Sequence, residues 1–232
     1  MHSVWTESAN MPKYEQISHD IQTEVLVIGG GIAGILCAHF LTQAGIDCVL
    51  VEASSLCSGI TKNTTAKITA QHGLIYNKLL QEFDEQTAKL YLDANLTALE
   101  EYRVICKNVD CDFERQDNFI YSINDKAAIT AELAALQKIG YSAAGFVQPT
   151  LPFSTVGAVK FPNQAQFNPL KFLAHIAKDL KIYTYTPVQE IQKQTAYTPH
   201  GKITAKKIII ATHFPFINTH GFYFVKMYQG VS

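Results

Sequence analysis

An excess of charge of either sign is the first thing missing: 19 Lys and Arg stand against 20 Asp and Glu, for a formal net charge of -1. So neutral a chain gives no electrostatic footing for nucleic acid or for an anionic membrane. No run approaches the roughly 20 apolar residues that span a bilayer. Residues 1–22 are mixed polar, without the apolar core of a secretory signal. Cysteine is sparse and odd in number, at Cys37, Cys48, Cys57, Cys106 and Cys111, with no Cys-x-x-Cys pair. These absences predict a reduced, cytoplasmic protein with no membrane or nucleic-acid partner. Cys37-Ala38-His39 is half of an iron–sulfur ligand spacing, but residues two apart on a helix do not share a face. Core packing is the expected role there, and no metal site is expected. Repeats and low-complexity linkers are also lacking. What is present is an ordinary apolar fraction of 47% over 232 residues, enough for one core or one core with a partial second layer.

Periodicity then sets out the elements. Residues 1–22 read as an irregular arm. Glu24–Ile28 is a short apolar run before glycines, as in a buried parallel strand, and Ile32–Ala44 carries helical spacing closed by Gly45. Cys48–Glu52 is a second buried strand, completing a βαβ start. Ser54–Gly73 is a loop with room for one short helix. Tyr76–Cys106 is a long helical pattern, as two helices or one with a bend. Asp112–Glu114 and Asn118–Ser122 alternate as half-exposed strands, Lys126–Lys138 is helical, and Val159–Phe161 is a strand before a Pro-Asn loop. Asn168-Pro169 starts a helix, with Asn as cap and Pro at the first position, running to about Leu180. Ile182–Tyr185, Val188–Gln192, Thr195–Thr198, Lys202–Thr204 and Ile208–Thr212 read as five strands, the middle three linked by hairpins around Pro199-His200-Gly201.

The turn Gly29-Gly30-Gly31-Ile32-Ala33-Gly34 joins the first strand to the first helix. In such a turn Gly29 permits the sharp bend, Gly31 leaves room for a pyrophosphate, and Gly34 lets helix and strand pack closely. A diphosphate there meets the N–H groups of a helix start that carries about half a positive charge. Glycine-rich turns are common, but this one follows an apolar strand, opens a helix and precedes a strand ending in an acid. Glu52 lies 23 residues beyond Gly29, near the spacing of a ribose-binding carboxylate, and its charge disfavours a 2′-phosphate. A dinucleotide is implied, NAD or FAD.

Beyond this unit the chain resembles the FAD-dependent amine and amino-acid oxidoreductases of the D-amino-acid oxidase, glycine oxidase and sarcosine oxidase family. Four segments carry the resemblance: Val25–Glu52, the loop Ser58–Lys67, the run Gln164–Phe172, and Tyr183–Thr212. The resemblance implies FAD as cofactor and a fold of Rossmann-like α/β type, a parallel sheet plus a three-stranded β-meander, with an inserted partial α+β substrate domain. It places Gly59, Thr61, Thr64, Thr65 and Ala66 at the pyrophosphate and flavin, and Val188 at the adenine. Gly29, Gly31, Ile32, Ala33, Gly34, Glu52, Ala53, Ala211 and Thr212 complete the expected contacts. His213 stands where the family has a glycine, and is expected to cap a strand end. Thr64–Lys67 with Gln71-His72-Gly73 is similar to the subset that carries a C-terminal Rieske domain. Lys62 and Asn63 stand where some relatives attach flavin through a histidine, so the cofactor is expected to be noncovalent.

The implied organisation is an arm at 1–22, an FAD-binding domain of 23–75 and 166–213, a partial substrate domain at 76–165, and a shortened return at 214–232. The chain is expected to be a C-terminally shortened member whose uncovered apolar edge, around Phe222–Val225, promotes association. The implied reaction oxidises a C–N bond of a small amine or amino acid by hydride transfer to flavin, though the shortened chain is expected to be inactive alone. A non-catalytic nucleotide-binding remnant, or a subunit needing a partner chain, is the alternative. An NAD-linked dehydrogenase lacks a second catalytic domain. Lys67 could hold a substrate carboxylate or be a solvated lysine, and His72 could titrate at the site edge or be structural. Cys57 has no paired base and reads as packing, while Tyr121 and Tyr185 read as core or edge aromatics.

Overall fold

In the computed structural model, which describes residues 3–214 and 216, the arm is more ordered than expected: helix α1 (Val4–Ser8) forms with the Ser3 hydroxyl accepting from the Trp5 N–H at 3.3 Å. Strand β1 (Ile21–Ile28) begins before the apolar run because Ile21, Gln22 and Thr23 pair with a later strand on one side only. Helix α2 (Ile32–Gln43) closes with Gly45 at φ +75. The Ile46 N–H reaches the Leu41 carbonyl and the Gly45 N–H reaches Thr42, both at 3.0 Å, the double bond of a Schellman cap. Strand β2 (Cys48–Val51) is fully buried, and a short 3-10 turn follows at Ile60–Asn63.

Strand β3 (Lys67–Ile68) falls inside what reads as loop. The long helical pattern is two helices, α3 (Ile75–Glu82) and α4 (Glu85–Cys106), broken at Phe83-Asp84, where Asp84 Oδ1 caps the Thr87 N–H at 2.7 Å. Of the two half-exposed runs, Asn118–Ser122 and Glu114 lie in one strand, β4 (Glu114–Ser122), while Asp112 and Phe113 precede it. Helix α5 (Lys126–Lys138) and strand β5 (Gly145–Val147) follow, then strand β6 (Gly157–Gln166). β6 runs through Pro162-Asn163 rather than ending in a loop. The register against β4 slips there, Asn163 takes φ +56, and its N–H turns to Asp117 Oδ1 at 3.0 Å. A bulge thus absorbs the proline's missing donor.

Helix α6 (Pro169–Ile176) ends in a 3-10 turn at Ala177–Asp179, and β7 (Lys181–Tyr183), β8 (Glu190–Gln192) and β9 (Thr195–Thr198) follow. Strand β10 (Gly201–Ile210) corrects the reading of Lys202–Thr204 and Ile208–Thr212 as separate strands. The polar pair Lys206-Lys207 does not interrupt it, because Lys206 extends to solvent and meets Glu24 Oε1 at 3.3 Å.

Two units divide the chain. The first takes in residues up to Thr64 and from Pro169 onward, the second Thr65–Asn168. These joins lie at 64/65 and 168/169, not at the expected 75/76 and 165/166, because β3 pairs with β6 and draws residues 65–75 into the second unit. In the first unit six strands order as β7-β2-β1-β10-β9-β8. The first four are parallel, and β8, β9 and β10 form an antiparallel meander. This is the Rossmann-like α/β architecture. Its core packs Leu26, Val49, Val51 and Ile203 with Ile17 of the arm. In the second unit β3, β5 and β4 flank β6, and Tyr76 stacks on Phe161 with centroids 5.9 Å apart among Leu92, Ile129 and Leu136. Tyr121 and Tyr185 are exposed rather than core, at 45% and 57%. No helix among the described residues is long and apolar enough to cross a membrane. Phe222–Val225, and the association expected of them, lie outside the described residues.

Candidate functional site

The glycine turn leaves the carboxyl end of β1, where Gly29 takes φ +115. A Cβ at Gly29 would stand 2.7 Å from the Ala211 carbonyl oxygen, so both the conformation and the neighbour demand glycine. A Cβ at Gly34 would overlap the Gly29 carbonyl, which is the close helix–strand packing expected of it. Gly31 differs: its Cβ would meet only Thr61 Oγ1, at 3.3 Å. Packing hardly requires a glycine there, which leaves room for a bound group as the reason for one. Gly30 has a role that sequence reasoning missed, since a Cβ would lie 2.6 Å from Leu56 and 2.9 Å from the Glu52 side chain.

Glu52 follows β2 and reaches back to the turn. Its Oε2 accepts from the Gly30 N–H at 2.6 Å and its Oε1 from the Ser54 N–H at 2.8 Å. The carboxylate is therefore aimed by backbone before any ligand arrives, and each oxygen keeps a lone pair for a further donor. The strand end itself is tied to residues 183–186: the Glu52 N–H donates to Tyr183, and the Thr186 N–H donates to Glu52. Thr61 supports the turn from another side, its buried hydroxyl accepting from the Ile32 N–H at 3.2 Å. The other amides of that first helical turn lack partners within the helix. Cys57, at φ +57, donates its N–H to the Gly30 carbonyl at 2.9 Å. Burial, and then the Glu52 charge, push its thiol up to about 12, so it stays neutral and packs beneath the turn.

Around this turn opens a cleft of about 750 Å³ within the first unit. It brings together twelve of the expected contacts: Gly29, Gly31, Ile32, Ala33, Glu52, Ala53, Gly59, Thr61, Thr64, Val188, Ala211 and Thr212. Ile28, Gly30, Cys57, Ser58, Ile60, Thr186, Pro187, His213 and Phe216 also line it. Of these, Thr186 and Pro187 had a signal in the sequence as neighbours of Val188, and His213 as the residue after Thr212 where the family has a glycine; Phe216 had none. Gly34 sits beneath the turn as a packing residue. Thr65, Ala66, Lys67 and His72 belong to the second unit. There Ala66 is buried at φ +57, Lys67 is an exposed residue of β3, and His72 Nδ1 pairs with the Tyr91 hydroxyl at 2.8 Å. Cys37 and His39 lie on α2, where burial lowers the His39 pKa.

A dinucleotide fits this cleft on the structure's own terms. A Gly31 side chain would project where no packing calls for its absence, a helix starts at the wall, and Glu52 is already oriented. Thr212 Oγ1 is buried against the cleft with no hydrogen-bond partner among the described residues. An orphan hydroxyl of this kind is costly unless a ligand satisfies it.

The family model described as DAO, FAD dependent oxidoreductase, matches residues 24–223. YhfW of Bacillus subtilis, named as a Rieske 2Fe-2S iron-sulfur protein, is 33% identical over 98% of this chain and 47% of its own length. Gamma-glutamylputrescine oxidoreductase of Escherichia coli is 25% identical over 90% of this chain and 53% of its own. The chain thus spans about half the length of the curated relatives it matches. Among solved structures, glycine oxidase from Geobacillus kaustophilus superposes with a TM-score of 0.62 at 17% identity, over 83% of this chain and 55% of that one, a likeness of fold. The glycine turn, the aimed acid and a family match over most of the chain converge, and the chain belongs to the DAO family of FAD-dependent oxidoreductases.

Proposed function

We propose that this chain forms the cofactor-holding part of an oxidoreductase that oxidises the C–N bond of a small amine or amino acid, with FAD bound noncovalently. The observation that carries the reading is the cleft built on the glycine turn, with Glu52 oriented by two backbone amides and the Thr212 hydroxyl without a partner among the described residues. Glu52 would receive the hydroxyls of the adenosine ribose, and Val188 would face the adenine. The start of α2, with Thr61 and Thr64, would hold the diphosphate by N–H and hydroxyl donors. When bound, FAD supplies the two-electron acceptor to which a hydride passes from the carbon beside nitrogen. The substrate class rests on the names of the relatives, which include a gamma-glutamylputrescine oxidoreductase and a glycine oxidase. Lys67 and His72 are the candidates for substrate positioning, and their place in the second unit suits residues of a substrate domain. A reduced, cytoplasmic setting is part of the proposal, in keeping with five cysteines that form no disulfide.

Because the chain spans about half of its relatives' length, a second reading is a nucleotide-holding subunit that acts with a partner chain. Purified protein, reconstituted with FAD, should show flavin absorption at close to equimolar amount, and acid precipitation should release all the yellow colour. Protein that stays colourless after reconstitution would end the cofactor assignment, and colour kept in the pellet would end the noncovalent one.

A further inference from the structure

We propose that the N-terminal arm is a strap that holds the Gly59–Thr64 turn at the cofactor cleft, with Trp5 as its positioning residue. The retention of cofactor that this implies rests on the FAD reading above; the ordering of the turn does not.

The arm has a fixed part. Residues 14–17 run beside residues 184–186: the Thr184 N–H donates to the Glu15 carbonyl at 3.1 Å and the Thr184 hydroxyl to the Tyr14 carbonyl at 2.7 Å. The Ile17 N–H donates to Thr186 Oγ1 at 3.2 Å, and the Ile17 side chain is 1% exposed within the sheet core. From this anchor residues 9–13 carry no regular structure, and α1 rests against α6 and the 60–63 turn. A helix of five residues has no stability of its own in water, so α1 exists because it docks.

The docking contact is specific. The Trp5 indole N–H donates to the Thr64 carbonyl at 2.8 Å. Thr64 lines the cofactor cleft, and Thr61 of the same turn holds the Ile32 N–H at the start of α2. Between anchor and α1 the arm borders a second cleft of about 540 Å³, lined by Met11, Lys13, Leu56, Lys62 and Tyr185. The middle of the strap is thus not packed solidly, and the bond at its far end adds to the hold that Thr61 and the packing of α6 have on the turn. A strap of this design slows cofactor escape by keeping Thr61 and Thr64 in position, a role for Trp5 that needs no contact with the cofactor itself.

The test compares the full chain with Trp5→Phe, which keeps an aromatic ring and removes the N–H, and with Glu7→Ala, an exposed change on the same helix. Three quantities are read: the rate of FAD release, the visible circular dichroism of the bound flavin, and amide exchange across residues 59–64 in the apoprotein. Loss of one net hydrogen bond predicts release about two- to tenfold faster for Trp5→Phe. It also predicts an altered flavin dichroism and faster exchange confined to 59–64, with an unchanged melting temperature; Glu7→Ala should match wild type. Equal release and equal exchange would overturn the proposal, and so would faster exchange throughout with a lowered melting temperature, which marks a merely structural role. If neither protein takes up FAD, the cofactor reading falls, and unchanged exchange across 59–64 would still overturn the strap. Should Trp5→Phe fail to fold, a chain starting at Asn10 keeps the anchor and permits the same comparison.

Discussion

Gly31 and Gly34 lie three residues apart at the start of α2, and a side chain at each would meet different surroundings. Gly31 has φ -85, which any residue adopts, and Thr61 Oγ1 is the one atom near its absent Cβ. Gly31→Val should therefore fold with a melting temperature near that of wild type, yet fail to take up FAD. Gly34→Ala drives a methyl group into the Gly29 carbonyl and should lose about 1–3 kcal/mol of stability. Urea unfolding and FAD titration on both variants read the two effects separately. Full FAD uptake by Gly31→Val would remove the turn from the phosphate site. At this scale the site was legible because its residues are close in sequence: a strand, a glycine turn, a helix and an acid within 24–52. The aim of Glu52 was not legible, since the Gly30 and Ser54 amides that orient it depend on how the chain folds back.

Among elements, the start of α3 depends on a side chain from α5. Glu132 is fully buried, and its carboxylate accepts from the Tyr76 N–H at 3.0 Å and the Asn77 N–H at 2.8 Å. Burial raises its pKa, and the two amides offset that only in part. The folded state therefore holds the proton to higher pH than the unfolded chain does. That contribution is fully present below the ordinary glutamate value and is lost as pH rises from there through the raised folded value. Glu132→Gln leaves one acceptor and turns an amide group toward the second N–H, at a cost of roughly 1–3 kcal/mol at acid pH. Denaturant unfolding across pH 4 to 8 should show the gap between wild type and variant narrowing as pH rises. A constant gap would mean that Glu132 is ionised throughout. The helices themselves were plain from periodicity, but a cap supplied 55 residues away in sequence was not. In β6 and β10, likewise, a proline and a lysine pair read as breaks. A bulge and a solvent-facing lysine kept each strand whole.

For the whole molecule, the proposal that this chain is the cofactor-holding part predicts that, loaded with FAD and by itself, it does not turn over glycine, sarcosine, D-alanine or a diamine. The relatives it matches are about twice as long. Orienting a substrate against its cofactor supplies roughly 7–11 kcal/mol of barrier lowering, so a part that holds cofactor without orienting substrate would show no detectable turnover. Anaerobic mixing with each compound tests this, and flavin bleaching at an enzymatic rate by any of them would refute it. By itself the sequence determined the βαβ start, the glycine turn with the acid that follows it, and the order of most helices and strands. Those features follow from local spacing and burial period, which need no knowledge of distant neighbours. Only the tertiary structure decided that residues 201–210 form one unbroken strand beside β1, and that Thr186, Pro187, His213 and Phe216 join the expected contacts in lining the cleft. It also decided that residues 65–75 join the second unit. Each of these turns on which strand edge meets which, and edge pairing is settled by backbone hydrogen bonds between segments whose side-chain patterns read alike.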